Sequence, residues 1–172
     1  MSKTRHCVVF SLDERLFALP LSIVERVTRV VAVTPLPKAS DIVLGVINLQ
    51  GRVIPVVNIR KRFSFNEKDL NMEQHFIIGR TNDKDIAILV DNVLDIIEVP
   101  GDTFVNQNEI TSNMPYISGV IKQDEEMVLV HDLDTLLSLD EINEVEEVIE
   151  SMDQESQPKK TKETRRNTKR KK

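Results

Sequence analysis

Thiol and aromatic side chains are nearly missing from this 172-residue chain, which has one cysteine, six Phe, one Tyr and no Trp. The single thiol, Cys7, excludes an internal disulfide framework and any zinc site built on cysteine pairs; it reads as a small apolar residue of the first strand. Glycine is scarce as well, at five residues, and neither GxxxxGK nor GxGxxG occurs, so no phosphate-cradling loop is available. The histidines stand singly at 6, 75 and 131, without a second His or Cys at ligand spacing. His131 falls inside an apolar strand, where it is expected to face outward or to be satisfied locally. No run approaches the roughly 18 apolar residues of a membrane span, and the first residues lack the apolar core of a secretory leader. A soluble cytoplasmic protein with no metal, no cofactor and no catalytic constellation is the expectation. With aromatics so few, Val, Ile and Leu must do the packing, and β-branched residues favour strands.

What charge there is sits unevenly. The net −5 divides into −5 over residues 1–139, −8 over residues 140–157, which hold eight acidic groups and no Lys or Arg, and +8 over residues 158–172. The chain is therefore read as a body (1–139), an acidic segment (140–157) and a basic tail (158–172). In the acidic segment, Ser138-Leu139-Asp140-Glu141 matches a capping box. Ile142, Val145, Ile149 and Met152 follow at helical spacing, predicting an amphipathic helix that covers an exposed edge of the second half of the body. From Pro158 onward no apolar residue occurs, so the tail is expected to be disordered. Nine basic residues in fifteen could hold a polyanion; pairing with the acidic segment is the favoured role, and nucleic acid is an unlikely partner.

The body reads as short strands between turn signals. Residues 8–12 and 16–19 flank polar Asp13-Glu14-Arg15 as a hairpin, 27–33 is β-branched, and 75–79 and 86–90 pair around 81–84. Residues 44–49 and 52–59 join through Gln50-Gly51, where glycine supplies positive φ. Pro55 predicts an edge or a bulge in the second of these. Helices do not alternate with the strands, so small antiparallel barrels fit better than a parallel sheet. Gly45-Val46-Ile47 recurs 74 residues on as Gly119-Val120-Ile121, and Val24-Glu25-Arg26-Val27 echoes 69 residues on as Val93-Leu94-Asp95-Ile96. The repeat implies one small β-unit per half, sharing a core, with a groove between them.

The run Leu44-Gly45-Val46-Ile47-Asn48-Leu49-Gln50-Gly51-Arg52-Val53-Ile54-Pro55-Val56-Val57-Asn58-Ile59-Arg60 resembles the signature hairpin of the CheW chemotaxis adaptor family. Phe10-Ser11-Leu12, Thr34-Pro35-Leu36-Pro37, Val90-Asp91 and Tyr116-Ile117-Ser118-Gly119-Val120 extend the resemblance over roughly residues 5–140. It implies a mainly β fold of two small five-stranded, SH3-like barrels, intertwined and packed together over residues 1–139, and a non-catalytic adaptor that couples chemoreceptors to a histidine kinase. The implied partners are the regulatory domain of a CheA-type kinase, packing on one barrel end, and the helical-hairpin tip of a methyl-accepting chemoreceptor, entering the groove. Association with the membrane would then be indirect, through the receptor array. Matched to the motif, the partner-binding residues are Val24, Arg26, Gly45, Asn48, Gln50 and Gly51, faced by Val93 and Ile96. Two departures stand out: Gln50 replaces the family's usual Arg, and Asn58 its usual Asp. Both remove charge from the hairpin and suggest a re-specified partner.

Overall fold

Eleven strands, two α-helices and four 3-10 turns make up the described residues, 3–82, 84–110 and 115–155, of a computed structural model of the chain. The basic segment 158–172 lies outside them. Strands β1 (Arg5–Leu12) and β2 (Arg15–Pro20) form the first hairpin; β3 (Val24–Arg29), the hairpin β4 (Val43–Leu49) and β5 (Arg52–Val57), and the one-turn helix α1 (Ile59–Arg62) follow. Strands β6 (His75–Arg80), β7 (Asp85–Val90), β8 (Asn92–Val99), β9 (Phe104–Asn106), β10 (Ile117–Gln123) and β11 (Glu126–His131) repeat that plan, and α2 (Leu139–Glu155) follows them.

The strands form two sheets, ordered β8-β1-β2-β11-β10-β9 and β3-β6-β7-β5-β4. Under the sequence repeat β3 corresponds to β8, β4–β5 to β10–β11 and β6–β7 to β1–β2, so both sheets share one order. A parallel contact completes each, β11 beside β2 and β5 beside β7. The repeat taken by itself implied one β-unit per half, and that reading is corrected here. Each half sends its first hairpin into the other half's sheet, and the units are interlocked. Asp91 alone separates β7 from β8, too little chain to reverse direction, so β8 runs on to pair with β1.

Each sheet then closes on itself. Beyond β3 the chain returns across β4, where Thr34 and Val46 exchange two backbone hydrogen bonds of 2.8 and 2.9 Å. Beyond β8, β9 crosses β10 in the same way, with Val105 opposite Val120, the repeat partner of Val46. The repeated glycine is what permits this crossing. A Cβ on Gly45 (φ +150°) would lie 2.2 Å from the Thr34 carbonyl oxygen, and one on Gly119 would lie 2.3 Å from the Phe104 ring. Both ladders also shift register beside these glycines, as a bulge does. Gly45, matched to the motif as a partner-binding residue, is thus buried under its own chain and offers no surface. The expected strand 27–33 moves to Val24–Arg29 for the same reason, because residues beyond Arg29 leave β6 to make the closure.

Pro55 sits on neither an edge nor a bulge: β5 lies between β4 and β7. Its ladder partner Val46 spends both backbone groups on Thr34, and pairing with β7 begins only at Val56. The missing N–H therefore costs no ladder bond.

Three clusters make the core. Cys7, Val9, Ala18, Phe104, Val128 and Val130 are among those filling the six-stranded barrel, and Ile47, Ile54, Val56, Phe76, Ile78 and Ala87 among those filling the other. The third cluster joins the barrels through Phe10, Leu12, Phe17, Leu19, Ile77, Ile86, Ile88 and Leu133. The exchanged hairpins are buried on both faces, one in a barrel and one between barrels, which is why they read as continuous apolar runs.

His131 joins this central packing rather than facing outward. It is 1% exposed and stacks on Phe63 at 4.4 Å and Phe17 at 4.8 Å, and neither ring nitrogen has a hydrogen-bond partner. Burial pushes its pKa down to about 4, and the Tyr116 backbone, close by but outside hydrogen-bond geometry, offsets little of that. The unfolded chain, titrating near 6.5, takes up the proton first as pH falls. Stability from this residue is complete above that value and is lost as pH falls toward 4. Between pH 7.5 and 5 the loss is expected to be about 2 kcal/mol, and His131→Phe should remove it. Urea titrations at the two pH values check this; equal pH dependence in both proteins counts against it.

Helix α2 begins at the expected capping box, with the Ser138 N–H donating to Glu141 Oε2 (2.8 Å) and the Glu141 N–H to Ser138 Oγ (3.2 Å). Its place is corrected. Ile142 and Val145 join the central cluster, Arg62 pairs with Glu141 at 2.6 Å and Lys84 with Glu146 at 2.9 Å. The helix therefore packs across to the five-stranded barrel, where cations and open apolar surface await it, and is continuous with the body's core.

Candidate partner-binding site

The β4–β5 turn is a two-residue reversal with Gln50 at φ +52° and Gly51 at φ +85°, the twist that suits a tight hairpin. Asn48 Oδ1 accepts the Gly51 N–H at 2.9 Å and so spends its side chain on shaping the turn. Gln50 is exposed and projects from the tip.

Beside the turn, Arg52 clamps the hairpin to its neighbours. Its guanidinium donates to both carboxylate oxygens of Glu25 on β3 and, at 2.8 Å, to Asp85 on β7, which also accepts from Arg80 at 3.1 Å. The Arg52 hydrogen bond holds the Glu25 carboxyl below its ordinary pKa. This clamp brings the turn and β3 onto one surface, with Arg26 exposed and Val24 half-buried against the central core. Val93 takes the equivalent half-buried position on the other barrel and packs on that same cluster. Ile96 lies three residues on along β8, 54% exposed, as is Leu94. The motif-matched residues thus fall into two groups on the edge strands of different barrels, and both groups are rooted in the core between them. Their arrangement is apolar contact rimmed by charge, as a protein-binding surface requires. Among the described residues no grouping of His, Cys, Asp and Glu could hold a metal ion.

Asn58 has a different job. Its Oδ1 accepts the Lys61 N–H at 3.3 Å, capping α1, just as Asp132 accepts the Asp134 N–H at 3.1 Å in the second half. Asn and Asp are equivalent caps, so this departure from the family pattern preserves local structure. Gln50 alone changes the chemistry of the exposed tip.

Sequence reasoning missed the staple behind the site. Arg60, 5% exposed, donates to Asp13 at 2.9 and 3.2 Å, to Asp91 at 2.6 Å and to the Asn66 carbonyl at 3.1 Å. Asp91, 7% exposed, also accepts the Asp13 N–H at 2.7 Å, with Gln74 Nε2 at 3.4 Å and Lys68 Nζ at 3.6 Å. Burial alone would push the Asp91 carboxyl up, but the Asp13 N–H and Arg60 outweigh it and hold it below the carboxylate range. The available signal was a charged residue following each of two apolar runs, Ile59-Arg60 and Val90-Asp91.

The model of the CheW-like domain family matches residues 6–141. Chemotaxis protein CheW of Thermotoga maritima is 32% identical over 130 residues, covering 74% of this chain and 84% of that protein. Chemotaxis protein CheA of Bacillus subtilis is 29% identical over 133 residues, 76% of this chain but 19% of that larger protein. Among solved structures, the scaffolding protein TtCheW from Thermoanaerobacter tengcongensis matches with a TM-score of 0.73 at 26% identity, covering 81% of this chain and 96% of that one.

Proposed function

The chain belongs to the CheW-like domain family, and from that footing we propose that it is a coupling adaptor of bacterial chemotaxis, holding a chemoreceptor and a CheA-type histidine kinase in one geometry. The observation that carries this is the hairpin over residues 44–60, whose root is buried in the barrel while its tip stands exposed beside β3, held by the Glu25–Arg52 pair. The receptor tip docks on Val24, Arg26, Asn48, Gln50 and Gly51, with Val93 and Ile96 completing the surface from the other barrel. The kinase's regulatory domain, itself adaptor-like, packs on a barrel end. Receptor and kinase each favour one arrangement of the complex, and because both bind the same rigid body their preferences become reciprocal. The adaptor performs no chemistry of its own and reaches the membrane only through the receptors it binds. Titrating the full chain with the purified regulatory domain of its own kinase tests this. Binding on the order of tens of micromolar or tighter without nucleotide turnover is expected; turnover, or no binding, overturns it.

Gln50 is where this adaptor's specificity is set. An arginine there would bring an unpaired guanidinium into the interface, so Gln50→Arg is expected to weaken receptor-tip binding by about 2 kcal/mol or more. Calorimetry on the two proteins decides it, and equal or tighter binding by the variant removes Gln50 from the recognition surface.

A further inference from the structure

Helix α2 is held unevenly along its length. The capping box, the buried Ile142 and Val145, and the ion pairs Arg62–Glu141 and Lys84–Glu146 fix its first half. Past Glu146 the anchoring thins. Val148 and Ile149 still pack on the central cluster but are only half-buried, Met152 is exposed, and among the described residues no ion pair ties the helix to the barrel beyond Glu146. This loosely held half nonetheless lies at a functional place. Ile149 and Met152 line a cavity of about 230 Å³ together with Val46, Asn48 and Val53, at the flank of the hairpin whose tip forms the proposed docking surface.

We propose that residues 147–152 are a displaceable strap that competes with the receptor tip for the flank of the β4–β5 hairpin. The inference rests on the reading of that hairpin as the receptor-docking site. A tethered segment competes at high effective concentration, so even a weak contact lowers the apparent affinity, by the fraction of molecules in which the strap is down. The strap's acidic character adds selectivity: a receptor helix carrying basic residues beside its apolar ridge would be drawn to Glu147 and Glu150 as the strap lifts, whereas an acidic one would be repelled.

Two variants of the full chain test it against a soluble helical-hairpin fragment of the receptor tip, with the kinase regulatory domain as control. I149S/M152S loosens the strap and is expected to bind the receptor fragment at least threefold more tightly, with kinase binding unchanged. V53C/M152C in a Cys7→Ala background, joined by a short bis-maleimide, locks the strap down and is expected to bind the fragment at least tenfold more weakly than the same protein left unjoined. Equal receptor affinity in the loosened, locked and unmodified proteins overturns the strap and leaves the adaptor reading standing. Failure of the unmodified chain to bind either partner overturns the adaptor reading itself.

Discussion

Replacing Arg60 with alanine is expected to lower folding stability by about 3–5 kcal/mol, the cost of stranding a buried charge by removing its partner. The guanidinium joins three separate places: the tip of the exchanged β1–β2 hairpin at Asp13, the crossover between barrels at Asp91, and the chain after α1 at the Asn66 carbonyl. Without it Asp91 keeps Gln74 and the more distant Lys68, which should hold the loss near the lower end of that range. Asp13 is half-exposed and recovers its solvation. Arg60 also holds the Asp91 carboxyl down. A depressed folded-state value means stability that is present above the ordinary carboxylate range and lost as pH falls through the depressed one, so this part of the variant's deficit should narrow as pH falls. Urea unfolding from pH 3 to 7 measures both effects. A second protein, R60M/D91L, replaces the pair with apolar groups of similar size and should regain most of the loss. If Arg60→Ala costs under about 1 kcal/mol, the staple is ornamental and the barrels are aligned by the central cluster alone.

Gly45→Ala should be about as damaging, on the order of 4 kcal/mol, although it adds a single methyl group. The obstacle is backbone: the Thr34 carbonyl oxygen occupies the place of the Cβ, at 2.2 Å, and that carbonyl is one of the two bonds closing the barrel. Gly119→Ala should behave alike in the second barrel, where a ring and the Val105 carbonyl, 2.7 Å away, block the site. Gly51→Ala is the control. It too has positive φ, but nothing lies within 4 Å, so only the intrinsic left-handed penalty of about 1 kcal/mol applies. Thermal melts of the three proteins should rank Gly51→Ala far above the other two. A ranking by φ alone, with Gly45→Ala and Gly51→Ala alike and Gly119→Ala the mildest, would show that closure imposes no constraint.

Much of this molecule was legible in the order of its residues. Alternation and turn chemistry are local, so the hairpins at 8–19, 44–57 and 75–90 and the capping box at Ser138 could be read directly, and a long hairpin motif carried the family. The repeat at Gly45 and Gly119 was visible too, but its cause was not: the crowding atoms belong to Thr34 and to Phe104 and Val105, well upstream of each glycine. Likewise nothing local distinguishes a hairpin that stays in its own half from one that crosses to the other, because the apolar faces are interchangeable and the choice falls to the single residue between β7 and β8. His131 and Pro55 were misplaced for the same reason, since strand neighbours alone do not reveal that a second layer of Phe17 and Phe63 covers the one, or that Thr34 takes the bonds beside the other. The sequence by itself determined strand content, turn positions, helix start and family. Tertiary structure alone decided which hairpin fills which barrel, where α2 lands, and how Arg60 and Asp91 are paired, because those depend on contacts between residues tens of positions apart, whose energies exist only once the chain has closed on itself.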